Sequence, residues 1–283
     1  MNAPIDLTDV TVYAIIDEYL KTCKHYCATR HSASGQPAKL SDAEIIFVYL
    51  MACLEYGGNL SKAQQAMYRY GNIKATLHKS QYNRRLHHLT NRIYELFGLL
   101  SGMAKQANRQ YSLDSCPLPV CHNIRIRRCR ILQGEQYRGY NASKRVYYYG
   151  YKIHLIAAVD GSIVEFDFYP ASYEDKVAFG LLPFDLPSQA QLCADKAYNY
   201  YQREEELLQD AQLNFQVMRK KNAHKLDNTY LHNRLVQLAR KHIESTISAL
   251  ESLFPRKIHA VTAQGFLLKA IGFIIAHNLI HYF

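Results

Sequence analysis

Two β-rich runs, 147–159 and 163–169, flank Asp160-Gly161, and this hairpin signal constrains the fold more than any other stretch. The first, YYYGYKIHLIAAV, is crowded with aromatic and β-branched residues. In the second, Glu165 and Asp167 alternate with Val164, Phe166 and Phe168, so one strand face is polar. Further strands are predicted around this hairpin. A short run from Tyr111 ends on Asp114, with Pro117 and Pro119 behind it. Another, 191–194, ends on Asp195, and a third covers 214–218. A helix over about 200–209 separates the last two, and long helical stretches follow at 228–253 and 262–282. A strand-helix-strand unit beside a hairpin, closed by helices, predicts an α/β core.

The first hundred residues have a different texture. Thr8 or Asp9 is placed to cap a helix reaching about Lys24, with Val12, Ile15, Ile16 and Tyr19 inward. Ser41 and Glu44 form a capping box ahead of the apolar run IIFVYLMACL. Gly57-Gly58-Asn59 ends that helix, and 61–70 makes a short one. Leu86, Leu89, Ile93, Leu96, Phe97 and Leu100 recur at spacings of three and four, which predicts one helix. Its early turns carry Arg84, Arg85, His87, His88 and Arg92. A helix-turn-helix-like DNA-binding unit and a plain bundle with a charged outer face fit this pattern equally. The texture changes near residue 108. Residues 1–108 are therefore expected to form a helical region, and 109–283 an α/β domain with C-terminal helices.

A formal charge of +10 favours a polyanionic partner, nucleic acid before an anionic membrane. The 23 tyrosines, several beside Lys or Arg, suit packing on sugars and bases or on sheet faces. Seven scattered cysteines, behind a polar N-terminus, read as reduced thiols of a cytoplasmic protein. Cys116, Cys121, His122 and Cys129 fit no common zinc module. The apolar run 265–280 is interrupted by Lys269, His277 and Asn278 and reads as a buried helix, with no membrane partner expected.

Asp114 and Asp195, each expected at a strand end, stand where ligands gather in α/β sheets. Glu244 lies just off the stripe formed by Ile243, Ile247, Leu250 and Phe254, behind Arg240, Lys241 and His242. Three such carboxylates suit a pair of Mg²⁺ or Mn²⁺ ions and in-line phosphoryl transfer. Spacing alone does not select these three, and Asp167, Asp175 and Glu251 stay open as alternatives.

The ordered segments VCHNIRIRR (120–128), YYGYKIHLI (148–156), ADKAY (194–198) and IESTISAL (243–250) resemble the DDE insertion-sequence transposases, most of all the family numbered nine-eighty-two. SQYNRRLHHL (80–89) is similar to the segment preceding their catalytic domain, and GFLLKAIGFIIAHNLI (265–280) to their C-terminal tail. The resemblance implies an RNase H-like catalytic core holding Asp114, Asp195 and Glu244 as a metal-binding triad. It implies Mg²⁺-dependent cutting at terminal inverted repeats, using two ions with Mn²⁺ able to substitute, and joining of the ends to target DNA. The implied partners are double-stranded DNA, as transposon ends and target, and further copies of the chain in a dimer or larger assembly on DNA. The setting is then cytoplasmic, at the bacterial nucleoid.

Two positions depart from the family pattern. Glu251 stands seven residues after Glu244, where many relatives carry Lys or Arg; that is two helical turns, roughly 10 Å along the axis. Ala197 stands where relatives often have Gly. Arg84, Arg85, Arg125, Arg127, Arg128, Arg130, Lys144, Arg145, Lys152, Arg219, Lys220, Lys221, Arg240 and Lys241 are candidates for contact with DNA, phosphates above all. Tyr198, His122 and His154 are candidates to support the site, with plain packing the simpler reading. The competing functions are an inactive DNA-binding relic or repressor, and a Mg²⁺-dependent nuclease without strand transfer.

Overall fold

A computed structural model describes residues 7–23, 38–142, 144–182, 184–219 and 230–282. The chain runs through α1 (Leu7–Thr22), α2 (Asp42–Glu55), α3 (Leu60–Arg69), α4 (Lys79–His88) and α5 (Thr90–Ala107). It continues through β1 (Gln110–His122), β2 (Arg138–Asn141), β3 (Val146–Ala158), β4 (Ile163–Pro170) and α6 (Asp175–Leu181). Then come β5 (Gln191–Ala194), α7 (Tyr201–Asp210), β6 (Asn214–Val217), α8 (Tyr230–Leu253) and α9 (Ala263–Tyr282). The chain is mixed α/β and divides into two compact units.

The first unit holds residues 1–99, 252–258 and 264–283. Its centre is made by two helices that are apolar nearly all round, as buried helices are. Eleven of the fourteen residues of α2 are buried, and twelve residues of α9 are buried. The Tyr49 hydroxyl of α2 donates to the Leu268 carbonyl of α9, and Gly272 leaves room for the Tyr49 ring and Cys53. By length and composition α9 could also cross a membrane; two thirds of it is buried here. The expected division placed this helix with the sheet, whereas its packing groups it with α1–α4.

The capping box forms as read: the Glu44 amide donates to Ser41 Oγ at 3.0 Å, and the Ser41 amide to Glu44 Oε2 at 2.6 Å. Ser41→Ala is expected to lower stability by about 1 kcal/mol, measured by urea unfolding. Gly57 and Gly58, with φ of +55° and +75°, end α2 in a left-handed turn. The expected caps Thr8 and Asp9 have side chains outside the described residues, as has Lys24.

One expectation is corrected here. The single helix predicted through Leu86 and Leu100 is two helices, α4 and α5, broken at Leu89. Leu89 caps α4, its amide reaching the Arg85 and Leu86 carbonyls, and the Thr90 hydroxyl donates to the His87 carbonyl. Leu86, Leu89 and Ile93 are all buried, so the apolar periodicity runs unbroken across the joint.

The second unit holds residues 100–251 and 259–263. Its six-stranded sheet runs β2-β3-β1-β5-β6, with β4 also paired to β3. The β1–β3, β2–β3 and β3–β4 pairs are antiparallel, while β1–β5 and β5–β6 are parallel. The hairpin turn is fixed by the Ser162 amide on Asp160 Oδ1 at 2.9 Å and by Gly161 at φ +93°. A core of Tyr111, Leu113, Ile156, Val164, Phe179 and Leu192 sits against the sheet.

Asp114 does not end a strand, as expected, but lies inside the thirteen-residue β1. Parallel pairing with β5 stops at Leu113↔Ala194, and beyond it β1 pairs only with β3 among the described strands. That free edge tolerates Pro117 and Pro119, and the ladder shifts register between Pro119 and Cys121. The following basic run is a 3-10 turn, Asn123–Arg128, with no buried residue.

Candidate functional site

The parallel pairing of β1 with β5 ends at Leu113 and Ala194, and the next residue on each strand is an aspartate. Asp114, still in β1, and Asp195, just past β5, therefore stand side by side where the two strands part. Asp114 Oδ1 accepts from the Ser115 amide at 2.7 Å. Asp195 Oδ1 accepts from the Lys196 amide as the cap of a short 3-10 turn, Lys196–Tyr198. Burial raises the Asp114 carboxyl to about 6, the Ser115 amide opposes this, and the charges of Asp195 and Asp175 add to the rise.

Helix α8 lies against this junction. The Ser112 hydroxyl donates to the Ala239 carbonyl at 3.0 Å, and Val236 and Ile243 are buried. These contacts bring Arg240 over the two aspartates, and the three residues line one small cleft with Val236 and Ile243. An Arg240 Nη stands 3.5 Å from Asp195 Oδ1, and its Nε donates to Glu244 Oε1 at 2.7 Å. Glu244 is outside the cleft, with a side chain 54% exposed. The structure thus brings Asp114 and Asp195 into one cleft and links Glu244 to Asp195 through Arg240.

A hard divalent cation suits the two aspartates. Both line one cleft, and burial, with the charges of Asp195 and Asp175 behind it, disfavours the ionised form of Asp114, which a cation would favour. Among the described residues no three His, Cys, Asp or Glu side chains are gathered closely enough to hold a metal. This also applies to the cysteine and histidine cluster around residue 121.

Asp175, one of the open alternatives, proves to be the hub of a partly buried polar network. Its Oδ1 accepts from the Ser115 hydroxyl at 3.1 Å and from Lys152 Nζ at 3.0 Å. His154 Nε2 stands 3.8 Å from the same oxygen, and His154 Nδ1 is 3.2 Å from the Tyr198 hydroxyl. Tyr198 belongs to the turn capped by Asp195, and Ser115 follows Asp114, so the network braces both aspartates. The sequence signal was the pair Lys152 and His154, two apart on β3 and therefore on one face.

His154 is fully buried, and burial lowers its imidazole to about 4 against the pull of Asp175. An unfolded chain takes up this proton near pH 6.5, the folded one only near 4. Stability from this group is therefore complete above pH 6.5 and is lost as pH falls toward 4. Between pH 7 and 5 the expected loss is about 2 kcal/mol. Urea unfolding of His154→Gln at both values is expected to show that much less pH dependence than wild type.

The basic candidates separate into two groups. Arg84, Arg125, Arg127, Arg128, Arg130, Lys144, Arg145 and Lys241 are exposed. Three others are engaged within their own units. Arg85 bonds Asp42 at 2.7 Å and the Leu40 carbonyl; Lys152 bonds Asp175; Arg219, 5% exposed, grips both oxygens of Glu204 at 2.7 Å. Lys220 and Lys221 lie outside the described residues. Glu251 meets Lys144 Nζ at 3.0 Å.

No curated protein and no solved structure matches the chain. A family model described as the transposase DDE domain matches residues 104–256, more than half of the chain.

Proposed function

Since this chain belongs to the transposase DDE-domain family, we propose that it cuts DNA at the terminal inverted repeats of an insertion sequence and joins the ends to target DNA. Within that family we place it nearest the group numbered nine-eighty-two, on the ordered segments quoted above. The observation that carries the reading is the pairing of Asp114 with Asp195 where β1 and β5 part, in a cleft covered by Arg240. The antiparallel β1, β3 and β4, continued by parallel β5 and β6, support an RNase H-like core.

Asp114 and Asp195 would hold Mg²⁺, or Mn²⁺ in its place, and Glu244 would join them only on leaving Arg240. Such ions supply activation of a water or 3′-hydroxyl and stabilise the leaving oxygen in an in-line displacement. The protein's own contribution is positional. The amides of Ser115 and Lys196 fix one oxygen on each aspartate, and the Asp175–Lys152–His154–Tyr198 network fixes the segments that carry them. Arg240 bridges Asp195 and Glu244 and sets its positive charge against both. Arg125, Arg127, Arg128, Arg130, Lys144, Arg145 and Lys241, with Arg84 of the helical region, position DNA through its phosphates. Residues 1–108 serve as the DNA-binding region, and synapsis of two ends requires at least two copies of the chain.

A labelled duplex carrying the element's end, incubated with Mg²⁺ and a supercoiled target, tests this. Nicking at the repeat boundary and joined product are expected. Nicking without joining would make the protein a nuclease, and binding without nicking a relic or repressor.

A further inference from the structure

The β2–β3 hairpin presents an exposed pair of aromatic rings. Tyr140 and Tyr147 are directly opposed across the two strands, 52% and 63% exposed, with ring centroids 4.8 Å apart and planes tilted by 49°. Val146 beside them is 48% exposed. Lys144 has a side chain 63% exposed, and Arg145, also exposed, is held at φ +51°, a left-handed conformation that only the turn into β3 requires. Arg138 starts β2 with its side chain 49% exposed. Glu135 pairs with Arg138 and Glu251 with Lys144, and among the described residues no carboxylate pairs with Arg145 at the tip.

A cross-strand tyrosine pair stabilises a hairpin by only a few tenths of a kcal/mol to about 1 kcal/mol. Two half-exposed rings flanked by cations offer more than that: a π face for a base and positive charge for the phosphates beside it. A partner that is both polyanionic and rich in flat rings is single-stranded nucleic acid. A duplex offers phosphates but keeps its ring faces stacked inside. We propose that the tip formed by Tyr140, Tyr147, Lys144 and Arg145 binds unpaired bases of DNA, those exposed when a DNA end is opened. This rests on the reading of the chain as a DNA-processing enzyme and adds a subsite for the opened strand.

The test uses the full chain and two probes: an oligothymidine carrying one 2-aminopurine, and a blunt duplex of mixed sequence. Affinity and 2-aminopurine quenching are measured for wild type, Tyr140→Ala/Tyr147→Ala, Tyr140→Phe/Tyr147→Phe, and Lys144→Ala/Arg145→Ala. Loss of both rings is expected to weaken single-strand binding at least about tenfold and abolish quenching, with duplex affinity within about threefold. The Phe pair, which keeps the ring faces, is expected to behave as wild type. The cation pair is expected to weaken both probes. Circular dichroism and size-exclusion mass measurement accompany each variant. Equal single-strand affinity in wild type and the Ala pair, or an equal loss on both probes, overturns the proposal. So does conversion of a wild-type oligomer to monomer by the Ala pair, which would make the patch a subunit interface. If wild type binds duplex but not oligothymidine, the subsite fails and the enzyme reading stands; if it binds neither, the enzyme reading itself fails.

Discussion

Asn at position 114 or 195 is expected to lower strand nicking by about three orders of magnitude, ~4 kcal/mol in barrier, while DNA-end binding changes by less than about threefold. Both carboxylates line the same cleft, and neither amide replacement can carry the charge that a divalent cation requires. The loss will not come from unfolding. Burial and the neighbouring Asp195 and Asp175 disfavour the Asp114 charge, so Asp114→Asn is expected to keep or raise the thermal midpoint at neutral pH. Glu244→Gln is expected to reduce nicking as well. Glu251→Gln should leave nicking intact, because Glu251 is engaged with Lys144. Gel-resolved nicking kinetics, with binding measured in parallel, check all four. Activity lost in Glu251→Gln but kept in Glu244→Gln would move the third carboxylate by two helical turns.

The second large effect lies in the sheet. Gly150 of β3 faces Pro119 of β1 at the register shift. A Cβ there would run into the Leu118 carbonyl and come within 2.7 Å of the Val120 nitrogen and 3.0 Å of Pro119 Cα. These are backbone atoms of a paired strand and cannot rotate away. Gly150→Ala is therefore expected to destabilise the protein by about 3 kcal/mol or more. Gly102→Ala is the control: it sits inside α5 with open space around it, and is expected to gain up to about 1 kcal/mol from helix propensity. Thermal and urea unfolding of the two variants distinguish them. A neutral Gly150→Ala would mean that β1 and β3 are not in this register.

The elements legible in the sequence are those set by local chemistry. The Ser41 capping box, the Asp160-Gly161 hairpin and the strand 191–194 follow from residues only a few positions apart. The break at Leu89 was hidden because both helices bury the same apolar period. The length of β1 was hidden because two prolines argue against a strand unless its free edge is known. Long-range partners were least legible. Arg84 and Arg85 are neighbours in a basic run, yet Arg85 is committed to Asp42, 43 residues earlier in the chain. Arg219 stands in the run Arg219-Lys220-Lys221, yet it is buried on Glu204. Asp114 and Asp195 could be named as candidates, but only the parallel pairing of β1 and β5 shows why they meet. That Arg240 stands between Asp195 and Glu244 depends on how α8 lies on the sheet, which no spacing rule gives.

The central claim is that Asp114 and Asp195 together form a divalent-cation site. Its most direct test is Mn²⁺ binding, followed by electron paramagnetic resonance on wild type, Asp114→Asn and Asp195→Asn without DNA and with a DNA end. The account predicts saturable binding in wild type, tightened by the DNA end, and loss of at least about tenfold in affinity in each variant. Equal Mn²⁺ binding by wild type and both variants would contradict it and place the metal, and with it the chemistry, elsewhere in the chain.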